Sequence, residues 1–128
     1  MSIFDSFENG TLYFSTEKQI DLSSIAWSPH AKFEGVELKH LITSQDTGDA
    51  YSYHLVRVAP EKKIGRHVHE TQVETHEVID GSGVCVLAGV ELDYQVGSIA
   101  VLPAGVEHEV TAGEIGLYLF AKFMPALC

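Results

Sequence analysis

The chain has 128 residues, 45% of them hydrophobic, a length and composition that suit one packed domain. Eighteen Asp and Glu against eight Lys and Arg give a net charge of −10, which repels phosphate backbones and argues against a nucleic-acid partner. No apolar run has the length of a membrane span, and the start, MSIFDSFENG, lacks a basic region followed by an apolar stretch. No membrane partner is therefore expected, and a soluble, cytoplasmic protein is the default expectation.

In chain order, residues 1 to 30 are expected to form an N-terminal arm or edge strand, with a short strand at 11 to 15 and weak alternation over 18 to 27 before Ser28-Pro29. His30 reads as a surface loop residue. Residues 33 to 42, FEGVELKHLI, put Val36, Leu38 and His40 on one side and Glu37, Lys39 and Leu41 on the other, the pattern of a half-buried strand. A polar loop is expected over 44 to 50. Residues 51 to 59 are rich in aromatic and β-branched side chains and read as a long strand. There Tyr51, Tyr53 and Arg57 share one face, and His54, Val56 and Val58 the other. An inward Arg57 would offer a substrate carboxylate its planar fork of donors, and an outward one is an ordinary surface arginine. Lys62, Lys63 and Arg66 are the nearest thing to a basic cluster and read as a solvated turn.

Asp80-Gly81-Ser82-Gly83 supplies glycines for a tight reversal, with VCVLA as the returning strand. Glycines at 89, 97, 105, 113 and 116 separate further short strands, and no helical period appears in the second half. The pattern is that of an all-β sandwich or barrel. Cys85 and Cys128 lack C-x-x-C spacing, so no disulfide is assigned and Cys85 reads as a small core residue.

Side chains two apart on a strand point the same way, so His67 and His69 present both imidazoles to one side of a sheet. Glu74 and the distant His108 complete a mixed nitrogen and oxygen set of the kind that holds manganese, iron, cobalt, nickel, copper or zinc. Glu70, Glu77, Glu107 and Glu109 fall on opposite faces and are expected in solvent. His76 shares the face of Glu74. It reads equally as a substrate-binding or acid/base group and as a histidine satisfied by a polar neighbour.

The spacings resemble a known family. His67-x-His69, four residues, Glu74, six residues, Gly81 looks like the first cupin motif, and Gly97, five residues, Pro103-x-Gly105, two residues, His108 looks like the second. The chain departs from the pattern at Glu61, where a glycine is common, and at Ala112, where an asparagine is common. The resemblance implies a jelly-roll barrel over residues 31 to 128 enclosing a cavity, with one divalent transition metal held by His67, His69, Glu74 and His108. It also implies a small-molecule ligand and, by analogy, a homodimer.

The family spans dioxygenases, isomerases, decarboxylases, binding proteins and sensors, so the fold leaves the activity open. The leading expectation is a small metalloenzyme, dioxygenase-like or isomerase-like, for an oxygen-rich small molecule, with His76 as acid/base. The alternative is a non-catalytic metal-dependent binding or sensing module. Trp27-x-Pro29-His30 and Gly35-Val36-x-x-Lys39 are similar to the cupin domain of zinc-bound anti-sigma factors, whose sigma-binding domain is not expected within these residues.

Overall fold

The computed structural model describes Ser2 to Cys128 and is built on two long strands, β7 (Val73–Leu87) and β10 (His108–Met124), which pair antiparallel along almost their whole length. Both bend midway, where their register breaks between Ala112 and Leu117. The bend divides each strand between two sheets.

Beyond it, the second half of β10 pairs with β5 (Ser52–Val58) and with the first half of β7, which in turn pairs with β9 (Ile99–Leu102). Outside β5 lie β4 (Val36–Ile42) and the short β3 (Ser28–Pro29). The first half of β10 pairs with β6 (Lys63–His67) and with the second half of β7, which carries β8 (Val90–Gln95). Two antiparallel sheets thus share two bent strands and face each other across a core, the jelly-roll arrangement expected from the sequence.

Two sequence expectations change here. The glycines at 81 and 83 do not reverse the chain, and those at 113 and 116 do not separate strands. Each set instead bends one continuous strand, because a strand that turns the corner of a sandwich needs positions where two backbones approach closely. The expected loop at 44 to 50 contains a short helix, α2 (Ser44–Thr47), started by a Thr43–Asp46 capping box.

Alternation decides what the interior holds. On β5 the inward row is Ser52, His54, Val56 and Val58, all buried, and on β10 it includes Leu117, Leu119, Ala121 and Phe123. The other face of the same sheet is covered over part of its area, while Ile99 and Val101 on β9 stay exposed. Helix α1 (Ile3–Glu8), the hairpin of β1 (Thr11–Phe14) with β2 (Lys18–Asp21), and a single 3-10 turn (Leu22–Ser24) lie across it. Phe4 and Leu22 pack there on Leu41, Leu55 and Ile79.

That covering explains a departure from the expected half-buried strand. Lys39, on the outward side of β4, is only 2% exposed. Its ammonium donates to the Leu22 carbonyl at 2.8 Å and lies 5.6 Å from the Trp27 ring. Arg57 also points outward. It donates to Glu37 at 2.9 Å and stacks 4.1 Å from Trp27, whose indole N–H reaches Glu8. Of its two sequence readings, the outer one describes the position, and Arg57 ties the N-terminal segment to the sheet.

His54 is fully buried, and its imidazole faces that of His40 with Nδ1 to Nδ1 at 2.7 Å. Burial, reinforced by His40, pushes His54 down to about 4, whereas in an unfolded chain it titrates near 6.5. Between those values the unfolded chain takes up a proton that the native protein refuses. The contribution of His54 is therefore complete above the unfolded value and is lost as the pH falls toward the folded one, by about 3 kcal/mol. Urea unfolding of metal-free protein should show that loss between about pH 7.5 and pH 4.5. His54→Gln should recover most of it, and an unchanged pH dependence in the variant would show that other groups carry it.

Candidate metal centre

Strand β6 ends at His67, where it pairs with His108 of β10, so register alone brings the first and last motif histidines together. Their rings stand 4.3 Å apart between centroids. His69 lies beyond the strand end, in the loop before β7, rather than on the strand as its spacing predicts. It still converges, because the Gly105 amide donates to the His69 carbonyl at 2.8 Å and pins that loop to the segment leading into β10. Glu74 enters from the start of β7, inward and 6% exposed. One ligand atom from each of His67, His69, Glu74 and His108 lies within 4.8 Å of the others.

The hydrogen bonds around these groups leave the metal-facing atoms unused. The His67 Nδ1–H donates to the Gly65 carbonyl at 2.7 Å, and His108 Nδ1 faces the Val106 carbonyl at 3.3 Å, which turns both Nε2 atoms inward. Glu74 divides its oxygens. Oε2 accepts from His76 at 2.5 Å, while Oε1 faces His108 Nε2 at 3.3 Å and His69 Nε2 at 3.5 Å.

Glu74 Oε1 and His108 Nε2 are both buried and have no hydrogen-bond partner, which is costly for polar atoms unless something else satisfies them. Two lone-pair donors facing each other beside two further imidazoles are what a cation would satisfy, so the donor set fits a divalent transition metal.

Charge points the same way. Burial alone would raise the Glu74 carboxyl, but its contacts with His76 and His108 overcome that and hold it well below the usual carboxylate range. Burial lowers His67 and His69. An ionised carboxylate and neutral imidazoles are the ligand forms that metal binding requires.

His76 is 1% exposed, and both its nitrogens are engaged, Nε2 with Glu74 and Nδ1 with the Tyr94 hydroxyl at 2.8 Å. Sequence reasoning misses Tyr94. Its only signal there is an aromatic residue that bears a hydroxyl and falls on the buried side of an alternating strand. Glu77 points outward and pairs with Lys122, Glu107 pairs with Arg66 at 3.2 Å, and Glu109 pairs with Lys63 at 3.7 Å. Glu70 is exposed.

The centre opens into a cavity of about 470 Å³. Its walls are mostly apolar, among them Phe33, Leu38, Val56, Val110 and Phe123. His30, Lys32 and Arg66 also line it, so residues that read as loop or turn in the sequence border the site.

A family model for the cupin domain matches residues 54–115. Several solved structures share the fold. The polyketide cyclase RemF from Streptomyces resistomycificus superposes with a TM-score of 0.74 at 20% identity, over 86% of this chain and 80% of that one. A predicted oxalate decarboxylase from Thermotoga maritima gives 0.73 at 22% identity, over 80% of this chain and 95% of that one. A sugar phosphate isomerase of a cupin superfamily from Silicibacter pomeroyi gives 0.69 at 25% identity, over 84% and 75%. No curated protein sequence matches significantly. With both motifs in order, their histidines and glutamate converging inside a jelly roll, and a family model matching residues 54–115, the chain carries a small cupin domain.

Proposed function

We propose that this cupin is a metal-dependent enzyme acting on an oxygen-rich, anionic small molecule, with oxidation by dioxygen as the leading reaction and isomerisation as the second. The observation that carries the reading is the pair of buried, unpartnered atoms, Glu74 Oε1 and His108 Nε2, beside the cavity. A divalent transition ion bound by His67, His69, Glu74 and His108 supplies Lewis-acid polarisation of a chelating substrate and, if redox-active, access to dioxygen.

The remaining roles belong to side chains. His76 holds Oε2 of Glu74 and so aims Oε1 at the other ligands, while Tyr94 fixes the His76 ring. The apolar walls exclude bulk water and strengthen charge interactions inside. Lys32 and Arg66 bring positive charge to the cavity of a chain that is otherwise strongly acidic, and His30 adds an imidazole, which together favour a carboxylate or similar anion.

The same inventory separates the two reactions. Isomerisation moves a proton between carbons and needs an acid/base group free to face the substrate. Among the described residues, the titratable side chains lining the cavity are the four candidate ligands, His76 and the three basic residues His30, Lys32 and Arg66. His76 already has both nitrogens engaged, which suits a positioning residue better than a mobile proton carrier. Oxidation of a chelating substrate makes a smaller demand for such a carrier.

The test is oxygen uptake with catechols, 1,2-diketones and keto acids, using protein reconstituted with Fe²⁺, Mn²⁺, Ni²⁺ or Cu²⁺, beside isomerase assays on keto-sugars. Oxygen consumption that disappears in His108→Ala is the expected result. Tight binding of metal and ligand without product in any assay would replace this reading with a non-catalytic sensing module.

A further inference from the structure

A second set of donor atoms lies across the Phe123 ring from the first. Phe123 stands 5.2 Å from the His69 ring on one side and 5.6 Å from the His54 ring on the other, between centroids. His54 pairs in register with His40 on β4, and their Nδ1 atoms are 2.7 Å apart. The Cys128 thiol lies 3.7 Å from His40 Nδ1, and one donor atom from each of the three residues is within 4.8 Å of the others.

We propose that His40, His54 and Cys128 form a second metal site, for a thiophilic ion such as Zn²⁺, which clasps residues 125 to 128 to the barrel. Two imidazoles and a thiolate are the donors that zinc takes up, whereas the first centre offers no sulfur.

Distances suit the assignment. In a tetrahedral zinc site two nitrogens lie about 3.4 Å apart, and a nitrogen and a sulfur about 3.6 Å apart. The span from His40 Nδ1 to the sulfur, 3.7 Å, is already there, and His54 lies within 4.8 Å of it. The two nitrogens must part by roughly 0.7 Å to reach the tetrahedral spacing, and His40, only partly buried, has room to turn.

The surroundings are built to hold these donors. Ser52 is fully buried, and its hydroxyl accepts the Leu127 amide at 2.8 Å while contacting His54 Nε2 at 2.8 Å. With the His54 Nε2–H donated to that hydroxyl, the Nδ1 lone pair faces His40, the tautomer a metal needs. The Ser44 amide donates to the Cys128 carbonyl at 2.6 Å and the Ala126 amide to the Asp49 carbonyl at 3.1 Å, which place the thiol. Leu127, between these anchors, lines the cavity of the first centre. An ion at the second site therefore holds one wall of the first.

Cobalt(II) reports the sulfur directly, because a thiolate bound to it gives a charge-transfer band in the near ultraviolet that imidazole and carboxylate ligands do not. Reduced protein is titrated with Co²⁺ under anaerobic conditions as wild type, His67→Ala/His108→Ala, Cys128→Ser and Cys85→Ser. The band should appear in wild type, persist in the double variant and in Cys85→Ser, and vanish in Cys128→Ser, whose exposed position tolerates the change. His40→Ala should weaken cobalt binding at this site at least tenfold. Absence of the band at saturating Co²⁺, or its survival in Cys128→Ser, would overturn the proposal. Loss of the first site alone leaves the band in place, so the two sites fail separately.

Discussion

Gly81→Ala should lose about 3–5 kcal/mol of stability, a large share of what a domain of this size possesses. Gly81 sits at φ +73°, and a Cβ built there would meet the Gly116 carbonyl oxygen at 2.1 Å, its carbon at 2.9 Å and the Leu117 Cα at 3.1 Å. All three are backbone atoms of β10, so no rotamer change relieves the contact. The two long strands would have to part at the bend that joins the sheets.

Gly89 provides the control. It has φ +80° but nothing within 4 Å of the point where a Cβ would stand, so Gly89→Ala carries only the conformational cost, about 1 kcal/mol. Equilibrium urea unfolding of the two variants separates close approach from backbone conformation. Equal losses would show that the strands do not approach each other as described.

Gly81 also shows what a sequence can and cannot convey. Its place after Glu74, with six residues between them, is legible, but its reason is not, because the contact comes from Gly116 and Leu117 on another strand. The four candidate ligands were legible because they stand at the spacings of two cupin motifs, although the pairing of His67 with His108 is itself a matter of register between β6 and β10. His67, His69 and Glu74 are held by short chain separations, and a strand start after Pro103 and Gly105 delivers His108.

Where an arrangement depends on register between strands, the sequence offered little. His40 and His54 looked like ordinary strand residues, and only the pairing of β4 with β5 brings their nitrogens together. Tyr94 reaches His76 across the barrel interior from β8, with no spacing to announce it. The burial of Lys39 depends on an N-terminal segment whose six-residue helix is too short to show a period.

Metal binding at the first centre should fall more than a thousandfold in His67→Ala/His108→Ala, while the β-fold persists. Two of four candidate ligands are removed, including the one whose inward nitrogen has no other partner. Losing a single supporting partner of a ligand already costs about 10- to 100-fold in metal affinity. Losing two ligands costs more. The fold rests on something else. Val36, Val58, Leu117 and Leu119 fill the interior, and Leu41, Leu55 and Ile79 lie beneath Phe4 and Leu22 of the N-terminal segment, each buried side chain contributing about 1.5–3 kcal/mol.

Taking the cation away from these ligands lowers stability only by the mass-action gain that binding had added, a few kcal/mol at moderate metal excess. Far-ultraviolet circular dichroism of chelated wild type and of the variant should therefore match that of metal-loaded protein near room temperature, with a lower melting temperature in the metal-free samples. A chain that lost its sheet signal on chelation would belong with small domains whose folding energy comes from the ion, and the apolar walls would not be its main support.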